Sequence, residues 1–275
     1  MTAIWHALPS ATAKLGSNEG AVYYWLPGWS FSADIFAAIS QQLPGQHYGL
    51  DYRALWAALQ EKSATADFAA AVELISSSPG HTDQQQTAQS RPAHWIGWSL
   101  GGALAQACCS QLANKPQAAQ SLTVLATGNR FLQQQAGDSG MASDTFEAFC
   151  AGFDKLPAKT LKRFLMLCCQ GADNAKNLAS ELAQFQLPLQ NSDESSNQTL
   201  LATTLQWLTQ YDLNQQYPLQ NLTDSAVWYA SSDALTPGDL QAKQLANHGQ
   251  SHAAVLEADL QDALIQRLQL LAGSH

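Results

Sequence analysis

The sequence predicts an α/β protein with a mostly parallel central sheet. Three observations predict it. Short runs rich in β-branched and aromatic residues alternate with longer helical stretches up to Ala126. One of those runs ends in a glycine-bracketed serine that opens a small-residue helix. Strand character disappears after Gly128 and returns only at Ala226. Alternation of this kind asks for βαβ crossovers, whose parallel strands are covered on both faces.

Val22–Leu26 (VYYWL) reads as a buried strand closed by Pro27-Gly28. A helix is expected over 32–43, with Ser32 as its cap. A second strand is expected over 47–52 and a helix over 66–75. The Gln-rich stretch 76–92 is too hydrophilic to pack and reads as a loop. Ala93–Trp98 is the next strand, 101–112 the next helix and 122–126 the next strand. From Phe131 to about Trp207 the pattern is helical throughout, an insertion into the α/β core. Ala226–Ala230 (AVWYA) resumes the sheet, and Leu260, Leu264, Leu268 and Leu271 mark the last helix at helical spacing.

With 275 residues the chain suits one large domain and needs no disulfide or metal staple. Hydrophobic residues make up 46%, which excludes a disordered chain. Charged residues are 13%, about half the usual share, and 31 glutamines carry much of the polar surface. The net charge of −9 disfavours wholesale binding to nucleic acid or to an anionic membrane. No apolar run is long enough for a transmembrane helix. Residues 1–16 lack a basic start followed by an apolar stretch, so no signal peptide is expected. Five cysteines, four in the adjacent pairs Cys108–Cys109 and Cys168–Cys169, read as free thiols in a reducing cytoplasm.

The strongest chemical signal is Gly97-Trp98-Ser99-Leu100-Gly101, a G-x-S-x-G set between a strand and a helix. A serine on so sharp a turn is held in a strained backbone conformation, and glycines two residues either side remove the collisions. Its hydroxyl then sits at a helix N-terminus, whose free N–H groups favour a developing oxyanion. The competing reading is a glycine-rich helix start capped by serine. No Gly-Lys-Ser/Thr follows, which disfavours a phosphate loop.

At these residues the chain resembles the α/β-hydrolase superfamily, and more narrowly the BioH-type pimeloyl-[acyl-carrier protein] methyl ester esterases of biotin synthesis. The stretch Trp95-Ile96-Gly97-Trp98-Ser99-Leu100-Gly101-Gly102 is close to that family's nucleophile turn. The stretch 149–176, with Gly152-Phe153 and Arg163-Phe164-Leu165, resembles its cap. Asp212-Leu213 with Pro218-Leu219-Gln220-Asn221, leading to Asp233, resembles the approach to its acid. The resemblance implies an α/β-hydrolase fold over 1–275, with helices flanking the sheet and a helical cap inserted at about 130–207. It implies a carboxylesterase that works through an acyl-enzyme, with a Ser–acid–His triad in that chain order. Ser99 is the nucleophile, Asp233 the acid after strand AVWYA, and His252 the base in His252-Ala253-Ala254-Val255-Leu256-Glu257. Asp212 and Asp224 are weaker candidates for the acid, and His248 is the alternative base.

Four departures stand against the family pattern. Pro27 replaces the histidine of a His-Gly pair, Ser251 replaces a glycine, Ala254 stands where proline is frequent, and only 19 residues separate Asp233 from His252. A helix fits that span at 238–247, but no clear strand follows; the rival reading makes 252–256 that strand. The resemblance also implies backbone donors at Trp29 and Leu100 for the oxyanion. It places Trp29, Trp98, Phe149 and Phe153 against the substrate, and for the two tryptophans ordinary core is the competing reading.

Five of 13 basic residues lie within 155–176: Lys155, Lys159, Lys162, Arg163 and Lys176. After Pro157, Lys159, Lys162 and Arg163 share one helix face, and Leu161, Phe164, Leu165 and Cys168 the other. A solvated helix face is one reading. The resemblance implies another: Lys159, Lys162, Arg163 and Lys176 dock an acidic acyl carrier protein. No metal or organic cofactor is implied, and the chain is expected to act as a monomer. A general short-chain esterase or thioesterase, or a degenerate hydrolase fold that only binds, are the alternatives.

Overall fold

The computed structural model describes residues 4–11, 20–62, 65–77, 91–115, 118–135, 140–189, 194–219, 222, 224–236 and 248–273. Its centre is a six-stranded sheet: β1 (Trp5–Ala7), β2 (Val22–Leu26), β3 (Gln46–Leu50), β4 (Ala93–Trp98), β5 (Ser121–Leu125) and β6 (Asp224–Trp228). The order is β1-β3-β2-β4-β5-β6. Only the β1–β3 pair is antiparallel. The expected fold class is therefore present. The edge strand β1 has three residues, too few for a periodic pattern to reveal it.

The helices are α1 (Ala37–Ser40), α2 (Tyr52–Glu61), α3 (Phe68–Ser76), α4 (Leu100–Leu112), α5 (Ser143–Lys155), α6 (Pro157–Cys168), α7 (Ala175–Leu182), α8 (Glu194–Gln206), α9 (Leu213–Gln216) and α10 (Ala258–Gly273). The helix expected over 32–43 is instead a 3₁₀ turn, Ala33–Phe36, followed by the single turn α1. Strand β3 stops at Leu50 because the Asp51 carboxylate accepts from the N–H groups of Arg53 and Ala54 and starts α2. The expected strand end at Tyr52 is thus corrected, and α2 is an additional helix. Asp67 caps α3 in the same way through Ala70. Most of the Gln-rich loop 76–92 and the whole helix expected over 238–247 lie outside the described residues.

Strand alternation divides the core. Tyr24, Leu26, Trp95 and Leu122 join the cluster packed against α2, α3, α4 and α8. Tyr23, Trp25, Ile96 and Trp98 join the cluster on the other face, against α10 and the 3₁₀ turn. Between β5 and β6 the chain leaves the sheet and forms α5 to α8. These helices bring Phe146, Phe149, Phe164, Leu167 and Leu205 to the carboxyl ends of the parallel strands, beside Ser99. Crevices at those ends are where open α/β sheets bind ligands. No helix among the described residues is long and apolar enough to cross a membrane.

Candidate active site

Ser99 follows the last residue of β4 and precedes α4, with φ 55° and ψ −123°. A positive φ is costly for a residue with a side chain, about 1–3 kcal/mol. It persists because its N–H donates to the Leu125 carbonyl at 2.9 Å and its carbonyl accepts from the Thr127 hydroxyl at 2.7 Å. The turn also requires bare backbone on both sides. A Cβ at Gly97 would lie 2.3 Å from the Gly101 carbonyl oxygen, and one at Gly101 would lie 2.1 Å from that of Leu26. No side chain fits at either position.

His252 reaches this serine from near the other end of the chain. Its Nε2 is 3.0 Å from the Ser99 Oγ, and its Nδ1 is 2.8 Å from an Asp233 carboxylate oxygen. Both the ring and the carboxylate are buried. Asp233 also accepts from the N–H groups of Leu235 and Thr236 and from the Thr236 hydroxyl. Burial alone pushes the Asp233 carboxyl up. The charge and hydrogen bond of His252, with the donors of Thr236 and Leu235, outweigh it and hold the carboxyl below the usual carboxylate range. An ionised Asp233 accepts a proton-bearing Nδ1, which leaves Nε2 as the lone pair facing Ser99.

Residues 252–256 are not a strand; Ala254–Leu256 is a 3₁₀ turn. His252 is held by other means. The Glu257 carboxylate accepts from the N–H groups of Gln250 and Ser251 and from the Ser251 hydroxyl. Asp259 accepts from the Gly249 N–H. The Gly249 and Gln250 carbonyls accept from Ser231 and Ser232, next to Asp233. The Ser251 that departs from the family's glycine is thus one of the anchors. The Pro27 turn is braced too: its buried carbonyl accepts from the Tyr52 hydroxyl at 2.7 Å. Neither Tyr52 nor Glu257 was assigned a role from sequence. The acid at 257, six positions from a hydroxyl, was the one readable signal.

The weaker candidates sit elsewhere. Asp212 caps α9 and pairs with Arg130 at 2.7 Å. Asp224 opens β6 and pairs with Arg267. The His248 ring lies against Trp228, with centroids 4.6 Å apart.

Ser99 and His252 border an apolar cavity of about 40 Å³ walled by Trp29, Phe149 and Phe164 among others. Trp29 is fixed there by its indole N–H, which donates to the Leu201 carbonyl of α8 at 2.9 Å. The Trp29 peptide follows Gly28, where a Cβ would lie 3.3 Å from the Ser99 Cβ. Two residues expected to line the cavity stand back from it. Phe153 is buried behind Trp29, with ring centroids 5.6 Å apart. Trp98 shares the sheet face of Ile96, opposite Trp95, and its indole N–H donates to the His252 carbonyl. Lys159, Lys162 and Arg163 are exposed on α6, and Lys176 is exposed on α7. All five cysteines are free, and burial pushes the Cys108 and Cys169 thiols up to about 12.

The thioesterase-domain profile matches residues 24–216. The chain is 34% identical over 152 residues to the biotin biosynthesis bifunctional protein BioHC of Teredinibacter turnerae, covering 52% of the chain and 25% of that protein. It therefore spans a quarter of that relative's length. It is 27% identical over 240 residues to the pimeloyl-[acyl-carrier protein] methyl ester esterase of Xanthomonas axonopodis pv. citri, covering 85% of the chain and 86% of that protein. In fold it resembles an esterase from Exiguobacterium antarcticum, with a TM-score of 0.68 at 17% identity over 98% of the chain and 95% of the esterase.

Proposed function

The chain belongs to the thioesterase-domain family, and from that premise we propose that it is a serine carboxylic ester hydrolase with Ser99, His252 and Asp233 as its triad. The observation that carries the reading is the continuous contact from Ser99 Oγ through both ring nitrogens of His252 to Asp233, at 3.0 and 2.8 Å. His252 takes the Ser99 proton as Oγ attacks the ester carbonyl. The backbone N–H groups of Leu100, at the start of α4, and Trp29 stabilise the oxyanion. His252 gives the proton to the departing alkoxide, then takes one from the water that attacks the acyl-enzyme. The free acid leaves and Ser99 regains its proton.

The substrate we infer is a methyl ester carried on an acyl carrier protein, pimeloyl in length, which would place the protein in biotin synthesis. The names of the relatives support this, and so does the exposed basic face of Lys159, Lys162 and Arg163 on an otherwise acidic chain. A second reading, a general short-chain esterase or thioesterase, is favoured by the small apolar cavity of about 40 Å³.

Labelling with a fluorophosphonate tests the chemistry. Wild type is expected to react and Ser99→Ala not to; an unreactive wild type would overturn the esterase reading. Rescue of a biotin-requiring strain, with a panel of p-nitrophenyl esters of increasing acyl length, separates the two substrate readings. Lys162→Glu with Arg163→Glu is expected to weaken turnover of the carrier-bound ester and spare small esters.

A further inference from the structure

We propose that the leaving alcohol of the ester occupies a second chamber beside Ser99, framed by Ala126, Thr127, Gly128, Tyr211 and Thr236, and that water reaches the acyl-enzyme by the same route. The proposal rests on the triad reading above. Among the described residues, Ser99 and His252 border both this chamber and the apolar cavity. Phe131, Leu208 and Leu235 are walls common to both.

The two differ in chemistry and in where they lead. The first is bounded by the aromatic rings of Trp29, Phe149 and Phe164. Helix α6 carries Phe164 into it, and one turn earlier places Leu161 in a surface groove of about 650 Å³ that also contains Lys155 and Lys159. An acyl chain leaving Ser99 on this side meets apolar surface. The second chamber is smaller, about 20 Å³. One water-sized group occupies roughly 10–15 Å³ on this measure, so the chamber suits one or two such groups, the size of a methoxy. It contains the hydroxyl-bearing residues Thr127, Tyr211 and Thr236. Through Arg130, Leu208 and Tyr211 it adjoins a polar groove of about 350 Å³ with Gln133, Gln210 and the Arg130–Asp212 ion pair.

An ester presents two arms on opposite sides of its carbonyl. The arm on the leaving oxygen must lie within reach of the His252 Nε2 that protonates it. A small chamber beside that ring, next to a polar groove, meets this need for a small alcohol. Once the proton has passed from His252 to the methoxide oxygen, methanol departs toward Arg130. A water taking its place gives one proton to Nε2, and its oxygen bonds to the acyl carbon. As the bond between Ser99 and the acyl carbon breaks, the Nε2 proton passes to the Ser99 Oγ, and ester and water are thereby converted to acid and alcohol.

The test varies the two arms separately. With one short acyl group, wild-type kcat/KM is expected to fall at least tenfold from methyl to butyl ester. In Tyr211→Ala the butyl-to-methyl ratio is expected to rise at least tenfold, while the ranking of acyl lengths at constant methyl ester is kept. Phe149→Ala is expected to do the reverse. A folded Tyr211→Ala with an unchanged butyl-to-methyl ratio, or with a shifted acyl ranking, overturns the chamber. Tyr211 is buried against Phe68, with rings 5.2 Å apart, so a second measurement uses wild type alone. Added methanol should divert the acyl-enzyme to ester more than added butanol at equal concentration; equal diversion overturns the assignment. Failure of the triad reading shows itself differently, as a wild type inert to fluorophosphonate, and takes the chamber with it.

Discussion

The indole N–H of Trp98 donates to the backbone carbonyl of His252 at 2.8 Å, so the residue preceding the proposed nucleophile holds the proposed base. The two rings also pack together, with centroids 5.7 Å apart. The bond spans 154 positions of sequence and ties the end of β4 to a loop that no strand supports among the described residues. Trp98→Phe keeps an aromatic ring and removes the donor, leaving a buried carbonyl unpaired at about 1–3 kcal/mol. We expect kcat to fall roughly tenfold with little change in KM or in acyl-length preference. A changed acyl preference with kcat intact would return Trp98 to the substrate pocket.

Asp233→Asn removes the charge opposite the His252 Nδ1 while keeping the shape. The expected loss in kcat is roughly 10³- to 10⁴-fold, because the ring loses the partner that selects its tautomer. Stability should respond to pH as well. The carboxyl is held below its ordinary value of about 3.9 in the folded protein, so its ionised form stabilises the fold above that pH. That contribution is lost as pH falls through the lowered value. The stability difference between wild type and Asp233→Asn, measured by denaturant titration, should therefore shrink from pH 7 toward acid. A difference that grows on acidification would contradict the assignment.

Tyr52→Phe tests the brace beneath the Pro27-Gly28 turn. Its hydroxyl is buried and donates to the Pro27 carbonyl, which stands two residues before Trp29. Removing it should cost about 1–3 kcal/mol by leaving that carbonyl unpaired. Because the Trp29 peptide is a proposed oxyanion donor, kcat should fall as well, roughly tenfold. Thermal unfolding and steady-state kinetics on the same preparation check both parts. A stability loss with kcat unchanged would separate the brace from the oxyanion site.

His47 predicts an acid-side weakness far from the chemistry. Its Nδ1 accepts from the Trp25 indole at 3.1 Å, and its Nε2 donates to the Leu43 carbonyl at 3.0 Å. Burial lowers its pKa from 6.5 to about 4, against the Leu43 hydrogen bond, which raises it. The unfolded chain therefore takes up a proton that the folded chain refuses between these values. Stability falls as pH drops through that window, by on the order of 3 kcal/mol. In His47→Gln the slope between pH 6.5 and 4 should be shallower. Identical slopes for the two proteins would place the effect in another group.

How much was legible depended on the range of the interaction. The strand-turn-helix at Ser99 was legible because glycines at 97 and 101 act within a few residues of it. Helix α6 was legible for the same reason: Leu161, Leu165 and Cys168 are buried as their spacing requires, and Lys159, Lys162 and Arg163 are exposed. Trp98 was misplaced because G-x-S-x-G does not reveal which sheet face each neighbour takes. The alternation that puts Ile96 and Trp98 together and Trp95 opposite decides it. Tyr52 was missed because its role depends on a carbonyl 25 positions away. The substitutions at 27 and 251, read alone, count against catalysis. The bonds that hold these two turns, from Tyr52 to the Pro27 carbonyl and from Ser251 to Glu257, are visible only once the loops are packed.

By itself, the order of residues determined the class of fold, most of the central strands and helices, and where a serine can be forced into a left-handed turn. Those outcomes follow from periodicity, capping and steric room over a few neighbouring positions. It also named His252 and Asp233, but by likeness to a family rather than by physics. Only the tertiary structure decided that the ring, 153 positions from Ser99, stands 3.0 Å from its hydroxyl. That distance is set by how β4, β6 and the loop before α10 pack across the sheet. Packing geometry of this kind is a sum over many contacts between remote segments, and no local pattern encodes it.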